Sequence, residues 1–267
     1  MAGARCEMQG ALETFLSGMA LAYMLTFARI GTAAMIMPGI GDSFVSERVR
    51  LHFSLGLSFV LFPIVWQFLP DPVPGGAELM ALVLMEVIIG LMIGTVARIF
   101  MTALDTAGMA IAMQSGLANA QVFNPSLAQQ GSIIGAFLSV TGVVLLFSLN
   151  MHHMLIMGVM DSYIQFPIGE LPDTGSMAEV IAMSVAAAFA VGVQLAAPFL
   201  VLTLLMYVGM GVLSRLMPQV QVFLLVLPLQ IILSISLLGI VMLAIFYHWA
   251  GWFEDSFVFF LSGNRGG

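Results

Sequence analysis

Fifty-five consecutive residues, Thr106 to Met160, contain no Asp, Glu, Lys or Arg. The apolar stretches on either side are almost as bare: the chain has no Lys at all, and only 8% of its residues are charged. A water-facing surface needs roughly 25–35% charged side chains to stay soluble and free of apolar patches. A chain like this cannot cover itself with charge, so its surroundings are lipid or other apolar protein. The apolar fraction, 61%, is above the roughly 45–50% of soluble domains. A length of 267 residues accommodates about six membrane spans of roughly 20 residues with their loops. The expected fold is therefore all-α, an integral membrane-type bundle of hydrophobic helices, read as a single domain over 1–267.

Other classes fall away quickly. Cys6 is the only cysteine, so neither an internal disulfide nor a cysteine-based metal cluster can form. A net charge of −7 offers no basic surface, and no nucleic-acid partner is expected. A chain without Lys has no GxxxxGK[ST] phosphate loop. Arg5 precedes an apolar run that passes Glu7 and Glu13 and continues to Met37, longer than the apolar core of a cleaved signal. It reads as a retained first helix.

Breakers divide the chain. Helix one is expected from about Ala11 to Met37, ending at Pro38-Gly39. Helix two covers about Leu51–Leu69, with Pro63 as a kink, and the run from Pro70 to Gly76 is too rich in Pro and Gly for helix. Helix three starts near Glu78, whose carboxylate suits a positive helix N-terminus. Carried to Thr106 it would be about 43 Å long, more than a hydrocarbon core of about 30 Å. The stretch 107–130 contains Gly108, Gly116, Asn124-Pro125 and four Gln but no charge. It is too polar for a lipid-facing span and too uncharged for a solvated loop, so it reads as irregular chain buried in protein or lining a cavity. Helix four follows over about Gly131–Met160, helix five over Met177–Leu213 around Pro198, and helix six over Val220–Trp249 with Pro228 near its start.

Arg48 and Arg50 in the first loop and Arg215 in the fifth put those loops on the cytoplasmic side by the positive-inside rule. The second and fourth loops are acidic, with Asp71, Asp161, Glu170 and Asp173. Small residues recur at helix-packing spacing: Gly90 and Gly94, Gly131 and Gly135, and Ala182, Ala186 and Ala190.

Three constellations invite a chemical reading. Gly39-Ile40-Gly41-Asp42 spells the GxGD of intramembrane aspartyl proteases, which need a second aspartate to share a proton. Their partner motif is Tyr-Asp, and none of the four tyrosines is followed by Asp. Asp42 therefore reads as part of a turn. His152-His153 point about 100° apart on a helix and do not converge on one ion as an i, i+4 pair does. They read as hydrogen-bonding groups, and no metal or cofactor is expected. More telling are Arg29 in helix one and Glu86, Arg98 and Asp105 in helix three, ionisable groups that are costly at membrane depth. Arg98 and Asp105 stand two turns apart on one face, which predicts structural pairing with Glu86 in a neighbouring polar contact. Glu86, Gly90, Gly94 and Arg98 form an i+4 row. An ion pathway through these charges, in an independent secondary transporter or channel, is the alternative.

The order of short motifs is familiar. Phe27-Ala28-Arg29-Ile30-Gly31 leads to Pro38-Gly39-Ile40-Gly41 and Glu47-Arg48-Val49-Arg50. Glu86-Val87-Ile88-Ile89-Gly90 is followed by Asp105-Thr106-Ala107-Gly108, Gln114-Ser115-Gly116 and Asn124-Pro125. Asn150-Met151-His152-His153, Phe166-Pro167-Ile168-Gly169 and the run Leu213 to Phe223 complete the series, with Met151 where Gly is frequent. The sequence resembles the FliR family, the R subunit of the flagellar export gate, with relatives in virulence type III secretion. The match covers nearly the whole chain.

The resemblance implies a non-enzymatic subunit at the bacterial inner membrane, in the flagellar basal body. There an R subunit joins P-like and Q-like subunits, with a B-like switch subunit, to pass unfolded flagellar proteins. It also implies strongly kinked helical hairpins, a fused P-like plus Q-like unit, and an assembly largely above the membrane plane, against the six-span count. The segment 107–130 corresponds to the family's plug, with Met109, Met113, Gln114, Gly116, Leu117 and Phe123 as plug or pore residues. Apolar side chains there can close a pore by dewetting. Gly108 and Gly116 would let the chain fold back and move aside, and Met can conform to varied unfolded chains.

Overall fold

The computed structural model describes residues 18–68, 76–116, 132–170, 173–216 and 222–262. Every regular element among them is helical. We number them α1 (Gly18–Ile36), α2 (Glu47–Val65), α3 (Gly76–Gln114), α4 (Ile133–Ser148), α5 (Met151–Gln165), α6 (Thr174–Leu216) and α7 (Val222–Ser262). Five are long and apolar enough to cross a membrane, and α4 with α5 form a sixth candidate broken by a 76° bend. This is an all-α membrane helical bundle.

The chain divides into two compact units. One comprises 1–98, 150–181 and 259–267; the other comprises 99–149 and 182–258. Three of the four boundaries fall inside α3, α6 and α7, and the fourth at the break between α4 and α5, so no linker composition marks them.

In the first unit α1 and α2 are an antiparallel hairpin. Tyr23 meets Phe59 and Phe62 edge-on, its hydroxyl donates to the Leu55 carbonyl, and Gly18 faces Trp66. α3 then runs parallel to α1. A Cβ on Gly90 would lie 2.3 Å from the Arg29 carbonyl oxygen, and one on Gly94 2.8 Å from that of Ala33. Without hydrophobic attraction between helices in lipid, such close backbone approach supplies the packing.

In the second unit the later part of α3 lies antiparallel to α4. Gly108 abuts Gly135, where a Cβ would fall 2.3 Å from the Gly135 Cα, and Gly142 receives Leu104. Gly192 brings α6 against Ala103 and Thr106. Phe100 packs edge-on against Trp252 and Phe253 of α7.

Several sequence boundaries are corrected. Helix three does not stop at Thr106: α3 continues to Gln114, so 107–114 is helix and not irregular chain. Gly108, read as a fold-back point, is the packing glycine opposite Gly135. The α3 stop is Gly116, in the left-handed region at φ 77°. Helix four is not continuous: Asn150 adopts φ 59° and separates α4 from α5. Asn is one of the few L-residues that enters this region readily. α7 runs beyond Trp249 to Ser262, carrying buried Phe253 and Phe257. The row Ala182, Ala186 and Ala190 is exposed, whereas Ala188, Val191 and Leu195 form the buried face of α6. At its start, Asp173 accepts from the Ser176 hydroxyl and the Gly175 N–H, bonds that hold its carboxyl below the ordinary range.

Candidate functional site: a sealed arginine and the end of α3

Arg29 sits in a five-residue π-turn, Phe27–Gly31, within α1. Such bulges are rare and concentrate at functional positions. Its side chain is fully buried, and so is Glu86 on α3. The two form a bidentate pair: Nε donates to Oε2 at 2.6 Å and Nη2 to Oε1 at 2.8 Å. Nη2 also donates to the Phe166 carbonyl at 2.9 Å. Nη1 donates to the Ser162 carbonyl at 3.0 Å and to Ser162 Oγ at 3.3 Å. All five guanidinium N–H groups are thus used. The Tyr163 ring closes one face, 4.0 Å from the guanidinium carbon.

The arrangement explains itself electrically. Ser162 and Phe166 lie at the C-terminal end of α5, where the helix dipole is negative; the Ser162 carbonyl also accepts from the Phe166 N–H at 2.8 Å. Arg29 caps that end while neutralising Glu86, and so ties α1, α3 and α5 together. A fully paired, fully buried guanidinium is a structural lock. It offers no open coordination or proton-transfer position.

Arg98 and Asp105 are not each other's partners. Arg98 belongs with the α1–α2 turn: Nη2 meets Asp42 Oδ1 at 3.2 Å and Nη1 reaches the carbonyls of Ile36 and Gly41. Its side chain is 46% exposed, so it is not a buried charge. Asp105 instead accepts from the Ser139 hydroxyl of α4. Sequence spacing put both on one face; tertiary neighbours decided otherwise. The row Glu86, Gly90, Gly94, Arg98 does face a single helix, since each residue meets α1 or the turn after it. The GxGD resolves as that turn. Gly39 has φ 86° and donates its N–H to Asp42 Oδ2 at 2.7 Å. The His152 and His153 rings lie 4.1 Å apart. Among the described residues no three His, Cys, Asp or Glu side chains gather as metal ligands do.

Of the residues expected in a plug, Met109 and Met113 lie on α3 and are exposed, Met113 at 69%. Gly116 is the left-handed residue beyond the helix end. Leu117 and Phe123 lie outside the described residues. A helix leaves its last four carbonyls without helical partners, and here each finds one. The Ser115 N–H takes the Ile111 carbonyl and the Ser115 hydroxyl that of Ala112. The Gly116 N–H approaches the Met113 carbonyl at 3.4 Å. The Gln114 carbonyl receives Thr203 Oγ1 from α6 at 3.1 Å and Gln230 Nε2 from α7. Thr203 and Gln230 are buried polar residues that sequence reasoning missed. Uncharged and set inside apolar runs, they carry no signal before the helices are packed. On the α4 side, Ser132 accepts from the Gly135 N–H and donates to the Gly108 carbonyl.

Comparison with known proteins fixes the class. Residues 20–256 match the family described as bacterial export proteins, family 1. The chain is 39% identical over 237 residues to the flagellar biosynthetic protein FliR of Caulobacter vibrioides, covering 86% of this chain and 92% of that protein. The chain belongs to the FliR family. The FliR of Bacillus subtilis is 29% identical over 84% of the chain and 87% of its own length. The Yop proteins translocation protein T of Yersinia pestis is 28% identical over 85% and 88%. A FliR-family chain is a non-enzymatic component of the flagellar export apparatus and a membrane protein. The FliR match takes in both the Arg29 lock and the Gln114 end of α3.

Proposed function

We propose that the chain is the R-type subunit of a protein-conducting gate at the bacterial inner membrane, in the flagellar basal body. It works with P-like and Q-like subunits and a B-like switch subunit, and the cargo is unfolded flagellar protein. The observation that carries this reading is apolar surface in excess of one chain's needs. Of its 19 residues α2 buries only Ser54, Ser58 and Val65, and Leu243 and Tyr247 of α7 are more than 80% exposed. Helix faces this bare need lipid or further apolar helices. The sealed Arg29–Glu86 pair supports a scaffold over a carrier that must expose and cover an ion site.

Within that assembly the segment 107–130 is the plug. Its helical base is α3 up to Gln114, which presents Met109 and Met113. An apolar constriction excludes ions by making water unstable in the pore. The test is conductance across membranes holding the complex of R-type, P-like and Q-like subunits. Deleting 117–131 should raise ion leak without loss of assembly. Unchanged conductance, with normal assembly and export, would sink the plug assignment.

A further inference from the structure

We propose that Thr203 and Gln230 are positioning residues of the gate, a clamp that holds the end of α3 in its idle place through the Gln114 carbonyl. The inference rests on the plug reading above and adds to it the part that sets the plug's base.

Helix ends need their carbonyls satisfied, but the local chain already serves three of the four at this end, through Ser115 and Gly116. The fourth, on Gln114, is met by two side chains from two other helices. Thr203 is 3% and Gln230 5% exposed. Both helices are otherwise apolar around these positions, Phe199 to Leu205 and Leu227 to Leu233. A single water or one backbone N–H would satisfy the same oxygen. Two polar residues in such runs are more than one oxygen requires for satisfaction, and they fix its position from two directions.

The neighbouring groups indicate what is being positioned. Met109 and Met113, on the helix the clamp ends, are exposed. Gly116 turns the chain away immediately after it at φ 77°. On the other strand of the hairpin, Ser132 is bonded to the Gly108 carbonyl, so α4 is registered to α3 independently of the clamp. Releasing the Gln114 carbonyl would therefore free the last turn of α3 without unzipping the Gly108–Gly135 contact. Both clamp bonds are uncharged, so they can break and reform without moving a charge in an apolar surrounding, as a reversible gate requires.

The test uses the assembled complex with the full chain in place. Thr203→Val removes the hydroxyl at nearly constant volume, Gln230→Leu removes the amide, and Thr203→Ser keeps the hydroxyl. Assembly is read by co-purification with the P-like and Q-like subunits and idle-state leak by single-complex conductance. The expected result is normal assembly of Thr203→Val and Gln230→Leu, a several-fold rise in leak for each, a larger rise for the pair, and a tight Thr203→Ser complex. Normal assembly with wild-type leak in the double variant overturns the clamp. Loss of assembly in both single variants assigns these residues to stability alone and also overturns it. The deletion of 117–131, measured alongside, separates the two ideas. Leak from the deletion with none from the double variant leaves the plug and removes the clamp; no leak from the deletion removes the plug reading itself.

Discussion

At the scale of single residues, the molecule handles membrane-depth charge by complete satisfaction. Arg29 uses five donors on Glu86, Ser162 and Phe166 and lays a face on Tyr163. Removing one partner of such a pair leaves the other charged and buried, at a cost of about 3–5 kcal/mol. Glu86→Ala should therefore lower thermal stability sharply, and the double change Arg29→Leu with Glu86→Leu should recover much of the loss. Melting temperatures of the purified complex check this; a double variant as unstable as Glu86→Ala would contradict it. The candidates Arg29 and Glu86 were visible in the sequence because charge is scarce there. Their pairing with each other was not, because partner choice depends on which face of α3 meets α1. For the same reason Arg98 found Asp42 and Asp105 found Ser139. Thr203 and Gln230 were invisible, since a neutral polar residue in a long apolar run looks like any other until three helices meet.

At the scale of elements, glycine has two different jobs, and sequence alone did not separate them. Gly116 after α3 and Gly39 in the turn after α1 adopt positive φ, whereas Gly90, Gly94 and Gly108 sit inside helices and admit a neighbouring backbone. That is why α3 runs through Gly108, although an uncharged, glycine-bearing stretch after Thr106 reads as irregular chain. The α4–α5 break was missed from the other direction, because Asn150-Met151-His152-His153 contains neither Gly nor Pro. The long apolar runs themselves were legible, since scarcity of charge is read directly from composition. The two kinds of glycine predict opposite mutant behaviour. A Cβ on Gly90 would lie 2.1 Å from Thr32 Oγ1, so Gly90→Ala must push α1 away. Overpacking of this sort costs about 1–3 kcal/mol. Gly239 has nothing within 4 Å of the same position, so Gly239→Ala should be neutral or gain up to about 1 kcal/mol of helix propensity. Comparing thermal unfolding of the two variants tests the assignment; equal effects would mean the α1–α3 approach is not as close as described.

At the scale of the whole molecule, helix length and exposed surface point the same way. α3, α6 and α7 have 39, 43 and 41 residues. At 1.5 Å per residue these are about 58–65 Å long, roughly twice a hydrocarbon core of about 30 Å. Tilt absorbs part of such an excess, since membrane helices lean by about 20° on average, but that lengthens the path only slightly. In a bilayer the remaining length would stand beyond the lipid tails, and exposed apolar surface in water drives association. On the gate reading, partner helices supply that covering. Expressed by itself in mild detergent it should therefore be polydisperse, and co-expression with P-like and Q-like subunits should convert it to one large, sharply eluting particle. Light scattering coupled to size-exclusion chromatography measures both states. A monodisperse monomer that a small ligand stabilises against heat would instead mark an independent transporter. In that case the excess length of α3, α6 and α7 would have to be covered from within the chain. The exposure of Leu243 and Tyr247 argues against that, because they lie on α7 with more than four-fifths of their surface open.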